Sequence, residues 1–163
     1  MASDWIDEGL LHTRERAERL HLALEQHQHQ STVIKDKAPD LMRGLVAEVG
    51  AAIDEYRRKA HLGSSEIEFQ PLPREGFCVT KGTPPRVALE CRPDYEAHVV
   101  YCNMTRTVEQ EREFVEFVFR LNFTLDESDN VELCSGTRVF HRVGEAVEFL
   151  LRPVLFPAVY ERL

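Results

Sequence analysis

Between Val115 and Leu125 apolar residues occupy every second position: Val115, Phe117, Phe119, Leu121, Phe123 and Leu125, with Glu116, Arg120, Asn122 and Thr124 among those between. Side chains of a strand alternate between two faces, whereas a helix returns to one face every three or four residues. This run therefore predicts a long strand with one buried face and commits much of the chain to a sheet. Thr107-Val108-Glu109-Gln110 resembles a helix capping box, so at most one helical turn is expected before the strand begins near Phe114.

The two-residue rhythm begins just after Ser64. Ile67 and Phe69 alternate ahead of Pro71 and Pro73, the mark of a short edge strand, and Phe77 and Val79 follow. Gly82-Thr83-Pro84-Pro85 then reads as a turn. Val87, Leu89 and Cys91 alternate next; Tyr95, Ala97, Val99 and Tyr101 carry one face of a longer strand, and His98, Val100, Cys102 and Met104 the other. Asp126 to Asn130 is a polar hairpin loop, after which Val131, Leu133 and the Cys134-Ser135-Gly136 bend return the chain to the sheet, with Val139 and Phe140 extending it.

Before residue 64 the rhythm is helical. Asp4 is a plausible N-cap, and Ile6, Leu10, Thr13, Ala17, Leu20 and Leu24 recur in alternating steps of four and three. The stripe fades in His27-Gln28-His29-Gln30-Ser31-Thr32, where a first helix is expected to end. A second is expected to start around Asp36 to Pro39, since proline fits a first turn. It carries Leu41, Met42, Leu45, Val46, Val49, Ile53, Tyr56 and Ala60 as a wide stripe and stops at Gly63. Gly144 opens a closing helix through Ala146, Val147, Leu150 and Leu151, interrupted near Pro153 and Pro157. The apolar tail of Val154, Leu155, Phe156, Val159, Tyr160 and Leu163 is expected to be docked. The expectation is thus one α+β domain over residues 1–163. It comprises two N-terminal helices (1–63), an antiparallel meander sheet of about six strands (64–143) and a closing helix (144–163).

At 163 residues and 43% hydrophobic content the chain can bury a core without staples. Its formal charge of -8 sets a repulsive field before any polyanion, so nucleic acid is not an expected partner. No apolar run approaches the roughly 18 residues of a membrane span, and the acidic start Met1-Ala2-Ser3-Asp4-Trp5 is unlike a signal peptide. A cytoplasmic protein off the membrane is expected. Cys78, Cys91, Cys102 and Cys134 fall in apparent strands without a C-x-x-C pair, which suits free buried thiols ahead of the alternative of two disulfides.

Seven histidines invite a search for metal or acid–base chemistry. Glu18-x-x-His21 places both groups on one helix face, but a carboxylate-bundle site needs a second copy on another helix, and the stretch from Asp36 to Leu62 offers only His61 at its end. His27 and His29, two residues apart, point to opposite sides of a helix. His98 and Cys102, four apart on a strand, stand about 13 Å from one another. A histidine–thiol pair remains open only between His98 and Cys78, Cys91 or Cys134 across strands. Glycine-rich phosphate loops, nucleophile elbows and paired-cysteine zinc spacings are missing from the sequence, and no cofactor or metal is expected.

The expectation for function is a non-enzymatic binding or protein-interaction module that self-associates as a homodimer, possible protein partners included. Its candidate seam is Ile6, Leu10, Ala17, Leu20 and Leu24, whose period near 3.5 is that of a coiled coil. The alternative is a small apolar ligand held between sheet and helices, walled by Tyr101, Phe117, Phe119 and Phe123. Ranked last is a hydrolase or transferase using His98 or His141 with a thiol or carboxylate.

Overall fold

The computed structural model describes residues 4–63, 65–108 and 113–157. It is α+β, as the sequence leads one to expect, but the helical part is a single element. Helix α1 (Asp4–Ala60) runs unbroken for 57 residues, about 85 Å at 1.5 Å per residue. The break expected in His27–Thr32 does not occur. Histidine, glutamine and serine cost a helix less than about 0.7 kcal/mol each relative to alanine, so a polar run marks a change of surroundings and not an end. Pro39 lies inside the helix, with Ala38 and Met42 fully buried on either side of it. An interior proline costs about 3 kcal/mol. Burial of the large side chains Ile34, Met42 and Leu45 around it, at about 1.5–3 kcal/mol each, offsets that.

Seven strands follow in meander order, each antiparallel to the next: β1 (Ile67–Leu72), β2 (Gly76–Lys81), β3 (Arg86–Asp94), β4 (Val99–Val108), β5 (Glu113–Leu125), β6 (Val131–Ser135) and β7 (Arg138–Phe140). Arg138–Phe140 is a strand of its own, which makes seven where about six were expected. Tyr95 to His98 form the β3–β4 turn, so β4 starts at Val99 and not at Tyr95. The capping-box residues Glu109 and Gln110 lie outside the described residues, and Val108 ends a strand. Helix α2 (Val143–Leu155) closes the described chain, with Pro153 in its last turn.

Register settles which side chains share a face. Val79 sits opposite Leu89, Leu89 opposite Met104, and Met104 opposite Phe117. Cys91 faces Cys102, Cys102 faces Phe119, and Val100 faces Leu121. Phe123 faces Leu133, which faces Phe140. These rows make one apolar face, and both helices pack on it. Ile34, Ala38, Met42, Leu45, Val49 and Ile53 of α1 and Ala146, Val147, Leu150, Leu151 and Val154 of α2 are buried in the same cluster. Ile34 to Leu45, Ala38 to Val49 and Met42 to Ile53 each span eleven residues, three turns of a nearly straight helix. The opposite face carries Glu68, Gln70, Thr80, Arg92, Tyr101, Glu116 and Arg120, all exposed.

The end of α1 is tied down by Arg57, whose Nε and Nη2 donate to the Ile67 carbonyl at 2.9 and 2.5 Å. The Leu62 N–H reaches back to the Arg57 carbonyl at 2.9 Å across His61, which has φ 55°. That is a Schellman-type stop with histidine in the left-handed position, two residues before the expected Gly63. Because a non-glycine residue there costs about 1–2 kcal/mol and His61 is exposed, His61→Gly should raise the unfolding free energy. The gain expected is about 0.5–1 kcal/mol after the added freedom of the unfolded chain, read as a higher urea midpoint at unchanged slope.

Candidate interaction surface

Only part of α1 lies on the sheet. From Asp4 to Gln30 every residue is exposed except the half-buried Glu15, and burial begins at Ser31 and Ile34. This arm, about 40 Å of helix at 1.5 Å per residue, projects beyond the turns at one end of the sheet. Its local support is modest. The Thr13 hydroxyl donates to the Gly9 carbonyl at 2.9 Å, His21 pairs with Glu25 at 2.9 Å, and Arg19 approaches Glu15 at 3.9 Å. Exposed pairs of this kind contribute about 0.2–0.5 kcal/mol each. His21 thus turns to Glu25, and among the described residues no group of three or more His, Cys, Asp or Glu is placed to hold a metal ion.

Where the arm leaves the sheet, two turns clasp it. In the β3–β4 turn Asp94 Oδ1 accepts from the N–H groups of Glu96 and Ala97 at 3.1 and 3.0 Å, which shapes the loop. Glu96 then reaches Lys35 at 2.8 Å. His98, at φ 58°, lies 3.2 Å from the Ser31 hydroxyl, with its ring 6.2 Å from that of His27. In the β5–β6 turn Asp126 Oδ1 accepts from the N–H groups of Ser128 and Asn130, both at 2.8 Å. Those bonds, Asn130 first, hold the Asp126 carboxyl below the usual range. Asp129, also in the left-handed region, takes His29 on its carboxylate and Lys37 on its carbonyl, both at 2.9 Å. The polar stretch that reads as a fading helix is thus a collar matched to two polar turns. Sequence alone did not expose it, because its partners lie roughly 70 to 100 residues further along the chain.

The arm's own apolar residues meet no such partner among the described residues. Ile6, Leu10, Leu20 and Leu24 are 46%, 53%, 58% and 60% exposed, and Ala17 is exposed too. Trp5, Leu11 and Leu22 add further wet apolar surface.

The four residues proposed to wall a ligand pocket are not brought together. Phe123 is buried and stacks on Tyr95 with centroids 5.9 Å apart, and Phe119 meets Phe149 edge-on at 6.3 Å. Phe117 shares their face but is 55% exposed, at a place the helices do not cover. Tyr101 lies on the other face, opposite Arg92 and Arg120. Alternation along β4 sends Tyr101 away from Val100 and Cys102, so a pocket containing all four residues would have to cross the sheet. The interior against the helices is packed by the buried cluster. A hollow beside it, lined by residues that include Leu41, Glu132, Phe140 and His141, holds about 40 Å³, room for little more than a water molecule. A larger groove of about 380 Å³ among Ala52, Tyr56, Lys59 and Phe156 opens to solvent at the far end of α1.

Of the tail expected to dock, Val154 is buried, Leu155 packs against the core and Phe156 meets Tyr56 edge-on at 5.8 Å. Val159, Tyr160 and Leu163 lie outside the described residues.

The thiols are free, and Cys91 and Cys102 face one another with sulfurs 3.5 Å apart. The bond to Cys102 and burial push the Cys91 thiol well up, away from the thiolate that a nucleophile requires. Cys78 and Cys134 sit on the opposite face from that pair, in rows with Glu90 and Asn122. His98 turns to Ser31 and His27, and His141 pairs with Glu132 at 3.2 Å beside the small hollow. Among the described residues no helix is long and apolar enough to cross a membrane. No family model, curated protein or solved structure matches the chain.

Proposed function

We propose that the chain is a non-enzymatic interaction module that self-associates as a homodimer through the exposed arm of α1. One observation carries this reading: Ile6, Leu10, Leu20 and Leu24 stand in solvent on one helix face at coiled-coil spacing. Most helical stability in proteins comes from packing of an amphipathic face, which the arm lacks within the described residues, and its few exposed ion pairs do not replace one. Burying a leucine or isoleucine contributes about 1.5–3 kcal/mol, so a partner that covers the four larger side chains stabilises both itself and the arm. The contrast of periods adds support. The part of α1 on the sheet repeats every eleven residues, whereas the arm repeats every seven, the spacing at which helices supercoil round each other.

Light scattering on the size-exclusion peak tests the reading. A mass twice that of the 18.8 kDa chain, falling towards the monomer on dilution, is expected. A strict monomer at high concentration would remove it.

A further inference from the structure

We infer that the two arms pair antiparallel, with Leu10 of one copy opposite Leu20 of the other. This inference rests on the self-association reading and adds a direction and a register to it. Counted on in sevens, the stripe Ile6, Leu10, Thr13, Ala17, Leu20, Leu24 continues through His27 and Ser31 to Ile34 and Ala38. The last two are buried under the chain's own fold, and His27 and Ser31 already meet His98 of the β3–β4 turn. One stripe therefore serves both partners, free as far as Leu24, touched by the β3–β4 turn at His27 and covered from Ser31 onward.

That continuity is what selects direction. In a parallel pair the two stripes face each other residue for residue. Beyond His27 the second copy's helix, unbroken to Ala60, would run into the β3–β4 turn and sheet that already occupy the first copy's stripe. Only a sharp bend in both helices would avoid the clash, and the helix is continuous through that region. In an antiparallel pair the second helix enters from the other end. Setting Ile6 opposite the second copy's Leu24 also sets Leu10 opposite Leu20 and Thr13 opposite Ala17. The described helix of the second copy then reaches Asp4 level with Gln26, short of the collar.

The register uses every free stripe position and matches sizes. Two layers of large side chains at each end flank two layers of small ones at the centre, around a two-fold axis near Glu15. Such an interface is closed and isologous, the commonest form of homodimer. The two helix dipoles oppose each other, which is favourable. At the flanking positions Asp7 comes beside the second copy's His21, while Arg14 and Arg16 each face their own counterparts. The facing arginines repel, so flanking charge does not select this register, and the covered stripe is what excludes the parallel arrangement.

Single-cysteine cross-linking reads direction separately from association. Chains carrying Leu10→Cys and Leu20→Cys, one lengthened by a tag, are each confirmed as dimers by light scattering. They are then oxidised with oxidised glutathione singly and mixed, against the unsubstituted chain as control for its four native cysteines. Antiparallel pairing predicts a linked species of intermediate size from the mixture, many-fold above that from either variant alone. Strong linking of each variant to itself means a parallel pair. A dimer that links in none of the samples means another register or another surface. Either result overturns the inference while self-association stands. Chains that are monomeric throughout, the unsubstituted one included, defeat the proposed function itself.

Discussion

Leu45→Ala is expected to lower the free energy of unfolding by about 2–5 kcal/mol, the range for removing a fully buried leucine and leaving its space partly empty. Leu45 is 0% exposed, in the middle of the α1 stripe between Met42 and Val49, where the helix lies on the sheet. Folded domains hold only about 5–15 kcal/mol in total, so a large part of the stability rides on this one side chain. Urea unfolding followed by far-ultraviolet circular dichroism would show a lower midpoint at an unchanged slope. Leu20→Ala on the same helix is the contrast. Leu20 is exposed within the chain, so under conditions that keep the protein monomeric its loss should change stability by less than about 0.5 kcal/mol. A small effect of Leu45→Ala would mean that α1 is not seated on the sheet.

Leu10→Asp combined with Leu20→Asp should weaken self-association by about a thousandfold or more. In the antiparallel register these two positions face each other, so the double variant places four carboxylates in the seam, one facing pair on each side of its small-residue centre. Desolvating unpaired carboxylates costs several kcal/mol, and each 1.4 kcal/mol is about tenfold in affinity. Because both positions are exposed in the single chain, the sheet and the part of α1 on it should unfold at the same urea concentration as in unsubstituted monomer. Sedimentation equilibrium reads the first effect and tryptophan-independent circular dichroism the second. An undiminished dimer would place the interface elsewhere, and a collapse of the whole fold would show that the arm is packed within its own chain.

The long strand was legible because its signal is local. Six apolar residues at alternate positions in β5 leave no helical arrangement with one buried face, and their shared face is the one seen. Strand boundaries were less so. Tyr95 to His98 alternates as a strand would, yet Asp94 draws two N–H groups into a turn there, and side-chain capping of that kind leaves little trace in hydrophobic pattern. The single helix was misread as two because a loss of apolar periodicity looks the same whether the helix stops or passes from a buried setting to a wet one. His27, His29 and Ser31 are polar because they meet His98 and Asp129, contacts that exist only after the sheet has formed.

By itself, then, the sequence determined the α+β class, the faces of the strands and the seven-residue spacing of the stripe from Ile6 to Leu24. Each depends on neighbours a few residues apart, whose relation is set by backbone geometry alone. Only the tertiary structure decided that the helix is continuous, that Tyr101 lies across the sheet from Phe117, Phe119 and Phe123, and that the stripe is covered from Ser31 onward. Those facts follow from which strand pairs with which and where the turns fall against α1, and long-range packing of that kind is not encoded in the period of any one segment.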